Sequence, residues 1–365
     1  MFNRLVSFKS LEGHEGEVKC LTFSQDGKFL ASAGDDGNIL IWEWRKNQKF
    51  YLNKKIDQVF EDDINKMFGD LEEGIGNIFG NKGGIAIPKI NDIFSKPPQV
   101  KISEIDDIFP RHRHKRINSV AFSPCQGFLV SGGDDQTVRI WSLETKELIS
   151  TLTGHQDKVT AVAVHPDREI IASGSEDKTV KIWSVKTGEI LSTLQGHSDK
   201  VLTVKFSQNG QLLASGGGEN DKTVIIWNLG EKSSITLKGH SDWFGGILSV
   251  DFGSNNKFLA SGSKDKTIKI WDIKRGTEVK TLSEHSDHIN SVSVSPNNQL
   301  LASGSDDKSL KLWDLKAAGR VIISIPHPQK IYAVCFSPDG NYIATACQDK
   351  IVRVYATSEL QSLAS

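Results

Sequence analysis

At 365 residues the chain has room for two ordinary domains, and its charge is balanced, with 44 Lys plus Arg against 45 Asp plus Glu, so no net field draws it to nucleic acid or to an anionic membrane. Four cysteines (Cys20, Cys125, Cys335, Cys347) show no CxxC spacing and are too few for a disulfide framework, which predicts a reducing compartment and no thiol-built metal site. The opening MFNRLVSFKSLEGH has too short an apolar run for a signal peptide, and no window approaches the length of apolar chain a membrane span needs; export and membrane insertion are disfavoured, and a cytoplasmic location is expected.

Taken in order, the chain repeats one set of residues. The first copy, approximately 11–44, holds His14, Ser32, Asp36 and Trp42, with 28 residues between His and Trp. The second, 111–143, has Ser131, Asp135 and Trp141, but its histidine slot falls on Arg113, between His112 and His114. The third, 152–185, restores the full set as His155, Ser173, Asp177 and Trp183. The fourth, 194–229, reads His197, Ser215, Asp221 and Trp227, with Gly218, Glu219 and Asn220 added near a turn. The fifth, 237–273, reads His240, Ser261, Asp265 and Trp271 and gains three residues around Trp243 to Gly246. The sixth, 282–315, has His285, Ser303, Asp307 and Trp313; the seventh, 324–357, has His327, Thr345 and Asp349 and ends on Tyr355.

Within each copy, short alternating runs such as VTAVAV, IIASGS, TVKIW and EILSTL are separated by His-Pro, Glu-Asp and Thr-Gly turn signals. Period two with closely spaced turns predicts antiparallel strands. Seven such units are the signature of propeller blades. The fold class expected is all-β, a single seven-bladed β-propeller of four-stranded antiparallel blades filling 1–365, with one partly helical insertion between the first and second blades. On these residues, and on the literal Trp-Asp pairs Trp271-Asp272 and Trp313-Asp314, the chain resembles the WD-repeat family of seven-bladed β-propellers, and its near-identical blades resemble bacterial members. A closed ring must join its ends. Residues 4–11, with the Ser-Leu-x-x-His ending of an outer strand just beyond, are favoured to supply the last blade's fourth strand; ELQSL at 359–363 competes for the slot.

From Trp42 to the vacant slot at Arg113 takes 71 residues against 13 or 14 elsewhere, so about 57 are extra. The insertion is placed at 54–110. In its first half Ile64, Met67, Phe68, Leu71 and Ile75 recur at helical spacing, and Gly69, Gly74 and Gly76 weaken that helix. The second half reads as loop and carries two Asp-Ile-Phe triplets, 92–94 and 107–109. The basic run RHRHKR, 111–116, is one short cluster beside acidic segments, which disfavours nucleic acid as partner.

The repeated His, Ser, Asp and Trp tempt a hydrolase reading, but a catalytic set is needed once and this one recurs in recognisable form in all seven copies. A structural role is simpler. The resemblance implies that Asp177 holds His155, which links to Ser173 and then to the indole N–H of Trp183; in the seventh copy Tyr355 leaves that link open. GIGNIFG, 74–80, lacks the strand and the continuation of a phosphate-binding loop, and His285 with His288 lacks a completing ligand set, so no cofactor and no metal are expected.

The resemblance further implies three variable positions per blade around the top opening. The residues before the turn aspartates are Asp35, Asp134, Glu176, Asn220, Lys264, Asp306 and Gln348. A second set, about three residues after each histidine, is taken as Glu17, Lys115, Asp157, Asp199, Gly245, Asp287 and Gln329. A third, about five after, is Lys19, Asn118, Thr160, Leu202, Leu248, Asn290 and Tyr332. Eight of these are acidic and three basic, which suggests a polar or cationic peptide. Trp243 and Phe244 in SDWFGGI stand out as exposed aromatics fit for a hot spot or for packing. The resemblance thus implies a non-catalytic interaction scaffold with a protein or peptide partner, monomeric by default. A sensing module with the insertion as a displaceable plug, and an enzyme using the central channel, are the alternatives.

Overall fold

The computed structural model describes residues 6–46, 48–52, 116–124, 127–167, 170–240, 245–317 and 319–363. Two units divide the chain, residues 1–52 with 114–365 and residues 53–113. The whole insertion at 54–110, the histidine slot at Arg113, Lys115, and the Trp243-Phe244 turn lie outside the described residues.

Strand β1 (Lys9–Glu12) opens the chain. Blade 1 is β2 (Val18–Phe23), β3 (Leu30–Gly34), β4 (Ile39–Glu43) and β5 (Gln48–Tyr51). Blade 2 is β6 (Ile117–Phe122), β7 (Phe128–Gly133), β8 (Val138–Ser142) and β9 (Leu148–Leu152); blade 3 is β10 (Val159–Val164), β11 (Ile170–Ser175), β12 (Val180–Ser184) and β13 (Ile190–Leu194). Blade 4 is β14 (Val201–Phe206), β15 (Leu212–Gly217), β16 (Val224–Asn228) and β17 (Ser233–Leu237); blade 5 is β18 (Ile247–Phe252), β19 (Phe258–Ser263), β20 (Ile268–Asp272) and β21 (Thr277–Leu282). Blade 6 is β22 (Ile289–Val294), β23 (Leu300–Ser305), β24 (Ser309–Asp314) and β25 (Arg320–Pro326). Blade 7 is β26 (Ile331–Phe336), β27 (Tyr342–Cys347) and β28 (Ile351–Ala356), with β1 as its outer strand, and the short helix α1 (Thr357–Ser362) follows. The seven sheets are antiparallel and each follows chain order, apart from the strand that β1 brings to blade 7.

The burial pattern explains this layering. Inner strands bury one face, as Val18, Leu21 and Phe23 do while Lys19, Cys20 and Thr22 stay half-exposed. The second strands are buried on both faces, so they read Leu-Ala-Ser-Gly rather than alternating polar and apolar. A Cβ on Gly174 would come within 2.7 Å of a Val201 methyl in the next blade; here the approach of neighbouring sheets requires glycine. Successive inner strands contact one another, and β26 against β2 completes the circle.

At the join, β1 pairs with β28, with Lys9 opposite Val354 and Glu12 opposite Ile351. Among the described residues the paired segment is 9–12, where 4–11 was expected. The competing C-terminal run falls in α1, whose Leu360 is buried in the cluster shared by blades 6 and 7.

Candidate functional site

The side chains that repeat are bonded to each other inside the blades. In blade 3, Trp183 Nε1 donates to Ser173 Oγ at 2.7 Å, His155 Nε2 lies 2.7 Å from the same oxygen, and His155 Nδ1 lies 2.7 Å from Asp177 Oδ2. Valence fixes the protons. A carboxylate only accepts, so Nδ1 carries the hydrogen; the serine then gives its single proton to Nε2 and accepts from the indole. The same chain links Trp42, Ser32, His14 and Asp36, Trp227, Ser215, His197 and Asp221, Trp271, Ser261, His240 and Asp265, and Trp313, Ser303, His285 and Asp307. The aspartates also accept turn N–H groups, such as Thr179 N at 2.9 Å on Asp177. Burial pushes these carboxyls up, but the hydrogen bonds from histidine, backbone and hydroxyls outweigh it and hold Asp36, Asp177, Asp221 and Asp265 at about 2.

Two blades depart, and both carry an arginine four residues after the turn aspartate. In blade 7, Arg353 binds Asp349 through Nη1 at 3.1 Å and Nη2 at 2.5 Å. His327 therefore turns elsewhere: Nδ1 donates to Ile325 O at 3.2 Å, while Nε2 lies 3.0 Å from Tyr355 Oη and 3.2 Å from Thr345 Oγ1. The seventh copy's link, which the sequence left open, thus runs from His327 to Thr345 and Tyr355 while Asp349 is held by Arg353. Burial without a carboxylate partner lowers His327 to about 4. In blade 2, Arg139 lies 2.7 Å from Asp135, and Trp141 donates to Ser131 at 2.7 Å.

The mouth of the ring needs a correction. One backbone bond recurs in each blade and defines equivalence: Asp35 N to Glu17 O, Asp134 N to Arg116 O, Glu176 N to Lys158 O, Gly218 N to Lys200 O, Lys264 N to Gly246 O, Asp306 N to His288 O, and Gln348 N to Lys330 O. The partners of Glu17 in the other blades are therefore mostly basic, and Lys115, Asp157, Asp199, Gly245, Asp287 and Gln329 each fall one residue short. Asn220 likewise belongs to the added turn, where its N–H meets Asp199 at 3.0 Å. With the register set, acid and base are nearly even at the mouth.

They are also joined across blade boundaries. Arg116 meets Asp35 at 2.8 Å, Lys158 meets Asp134 at 3.7 Å, Lys264 meets Glu219 at 2.5 Å, and Lys330 meets Asp306 at 2.6 Å. Glu17 takes Lys19 at 2.5 Å, Tyr332 Oη at 2.9 Å and Gln348 Nε2 at 3.0 Å. Although burial would raise Glu17, these bonds bring it down to about 2. Asn118 and Asn290 each reach the aspartate of their own blade and a carbonyl of the next. Thr160 Oγ1 donates to Val201 O at 2.5 Å. Leu202 and Leu248, half-buried in neighbouring blades, are the apolar members of this ring.

Asp287, His288 and Asp306 bring three potential ligand atoms within 4.8 Å of one another. The Lys330 ammonium already holds Asp306, so the donor set does not fit a cation.

Below the mouth, the inner strands line a channel of about 610 Å³. Ser119, Ser249 and Ser291 accept N–H bonds from the next blade there, and Lys205 stands 3.5 Å from Asp251. Burial pushes the Cys20 thiol up to about 12 and raises Cys335 further, so neither is a ready nucleophile.

The chain matches the family described as WD domain, G-beta repeat, over residues 5–43, 105–142, 146–184, 188–228, 231–272, 276–314 and 319–356. It is 27% identical over 300 residues to nuclear distribution protein nudF 1 of Talaromyces marneffei, covering 75% of this chain and 62% of that protein. Nuclear distribution protein PAC1 of Coccidioides posadasii is 29% identical over 309 residues, covering 76% and 62%. The chain thus spans less than two thirds of the length of these relatives. Among solved structures, U3-55K gives a TM-score of 0.73 at 19% identity, covering 96% of this chain and 98% of the other, and the WD40 repeats of RRP9 give 0.73 at 20%, covering 96% and 97%. At that identity the likeness shows the fold alone.

Proposed function

Because the chain belongs to the WD-repeat family, we propose that it is a non-catalytic docking ring which holds a protein or peptide partner at the mouth of the propeller, and that the 54–110 insertion takes part in binding the partner. One observation carries the reading. In five blades the residues that repeat are satisfied by one another inside the blade, whereas the residues that differ between blades line the mouth. A histidine with its acceptor nitrogen filled by a buried serine, and its other nitrogen on a carboxylate, has no lone pair or proton left to offer a substrate.

The near balance of charge at the mouth supports a partner of mixed charge rather than the cationic peptide suggested by the sequence. Leu202 and Leu248 offer that partner an apolar foothold. Arg116, the first described residue after the insertion, sits at the mouth on Asp35. A role in distributing nuclei, named for the two fungal relatives, is not needed for this reading. We place the protein in the cytoplasm on the same footing, supported by the free thiols of Cys20, Cys335 and Cys347.

The test is affinity capture from the native host with the wild-type chain, a Leu202→Asp/Leu248→Asp variant and a chain lacking 54–110. Loss of the captured set with either change, in a folded ring, supports the proposal. Capture indifferent to both, or turnover by the purified protein, overturns it.

A further inference from the structure

Among the described residues six large apolar side chains are exposed, and all lie on or beside the outermost strands: Phe8, Ile149, Ile190, Leu191, Ile235 and Val279. An outermost strand presents a free row of N–H and C=O groups. Sheet proteins blunt such edges with charge, proline, a bulge, shortness or a cover.

Six of the seven edges here carry such a device. β1 and β5 are four residues long and bear Lys9 with Glu12, and Lys49. In β9 and β13 the ladder skips a residue, Ile149 and Leu191, which is a bulge. β21 is bulged at Val279 and carries Glu278 and Lys280. β25 is bulged at Ile322, starts on Arg320, ends on Pro326, and has α1 against it.

Among the described residues β17 has none of these. Its ladder runs without interruption from Val224 opposite Leu237 to Asn228 opposite Ser233, and its sequence SSITL holds no charge, proline or glycine. Ser233 to Thr236 are all exposed, and Ile235 is 42% exposed.

We infer that the free edge of β17 is a self-association site, where the β17 of a second copy adds antiparallel and joins two blades into one continuous sheet. The sequence is complementary to itself. With Thr236 opposite Thr236 of the other copy, the exposed Ile235 stands opposite Leu237, which is buried in its own blade, and Lys238 stands opposite Ser234, so no like charges meet. The pairing is two-fold and closes on two copies. One strand pair is smaller than a standard interface, so the dimer is reversible and forms at high protein concentration.

Sedimentation velocity of the full chain across a concentration series tests this. The expected result is a reversible monomer–dimer equilibrium that Ser234→Lys and Ile235→Lys return to monomer without lowering the unfolding temperature. A wild-type chain that stays monomeric throughout overturns the inference, as does a dimer that survives both substitutions. Should a lysine variant unfold, Thr236→Cys decides. Directly opposed residues of an antiparallel pair lie within disulfide reach, so the oxidised variant is expected as a covalent dimer where the wild type is not. A Thr236→Cys chain that remains monomeric on oxidation overturns the inference.

Discussion

Arg353 takes both carboxylate oxygens of Asp349, and in doing so leaves His327 without the acid that its counterparts hold in five other blades. His327 is buried, lies at about 4, and is neutral in the fold. Unfolded, it titrates near the ordinary value of about 6.5. The unfolded chain therefore binds the extra proton between these values, and stability present above about pH 6.5 is lost as pH falls toward 4. On the order of 3 kcal/mol is at stake across that window. In urea titrations at several pH values, His327→Gln is expected to flatten this slope; an unchanged slope would place the titration elsewhere.

The turn aspartates act at lower pH. Held at about 2, Asp36, Asp177, Asp221 and Asp265 contribute stability that is complete above the ordinary carboxylate range, near 4, and disappears as pH falls through about 2. Acid unfolding followed by far-ultraviolet circular dichroism should steepen in that window. Asp177→Asn should remove one blade's share of the effect and leave the other blades' shares in place.

Ser173 serves two partners at once, the indole of Trp183 and the imidazole of His155. Ser173→Ala leaves a buried donor and a buried acceptor unmet and is expected to cost about 1–3 kcal/mol. Trp183→Ala should cost about 3–5 kcal/mol because it also opens a cavity. Urea midpoints check both, and a Ser173→Ala chain as stable as wild type would mean that water replaces the hydroxyl.

Lys308 holds φ at 66°, the value Gly37 takes at the matching turn position of blade 1. A side chain there costs about 1–2 kcal/mol, and glycine returns about half of the gain through its freer unfolded state. Lys308→Gly is expected to stabilise by roughly 0.5–1 kcal/mol, read as a rise in unfolding temperature.

At the mouth, Tyr332 and Lys19 converge on Glu17 from different blades. Ion pairs near the surface are worth about 0–1 kcal/mol, and Glu17 and Lys19 are only half-buried, so Glu17→Gln should leave stability nearly unchanged while altering partner affinity. Trp243→Ala, outside the described residues, is expected to weaken the same binding by about 2 kcal/mol or more if that tryptophan is a hot spot. Calorimetric titration with a captured partner measures both, and a large loss of stability instead would mark either residue as packing.

The blades were legible because a strand's period and its turn signals are local. IIASGS followed by TVKIW reads as two buried strands wherever it occurs, and seven such copies leave one arrangement in which each buries its faces against its neighbours. The exceptions were partly legible too. Arginine stands four residues after the turn aspartate only in DDQTVR and QDKIVR, the two copies that lack the usual histidine or tryptophan. Arg139 and Arg353 were overlooked because a basic residue in a strand most often points to solvent, whereas both are buried.

The mouth was legible as well, but it was misread. Glu17 stands three residues after His14, and three after His155 stands Lys158, the residue that the backbone bond from Glu176 selects; Asp157, only two after, was taken in its place. A one-residue slip exchanged acid for base around the ring and changed the chemistry expected of a partner. By itself the sequence determined the number of blades, their order and the side chains that fasten each one, since those interactions join residues at fixed spacings within a repeat. Only the tertiary structure decided which charges meet across blade boundaries and that Asp349 belongs to Arg353, because those choices depend on which neighbours come within a few ångströms once the ring has closed.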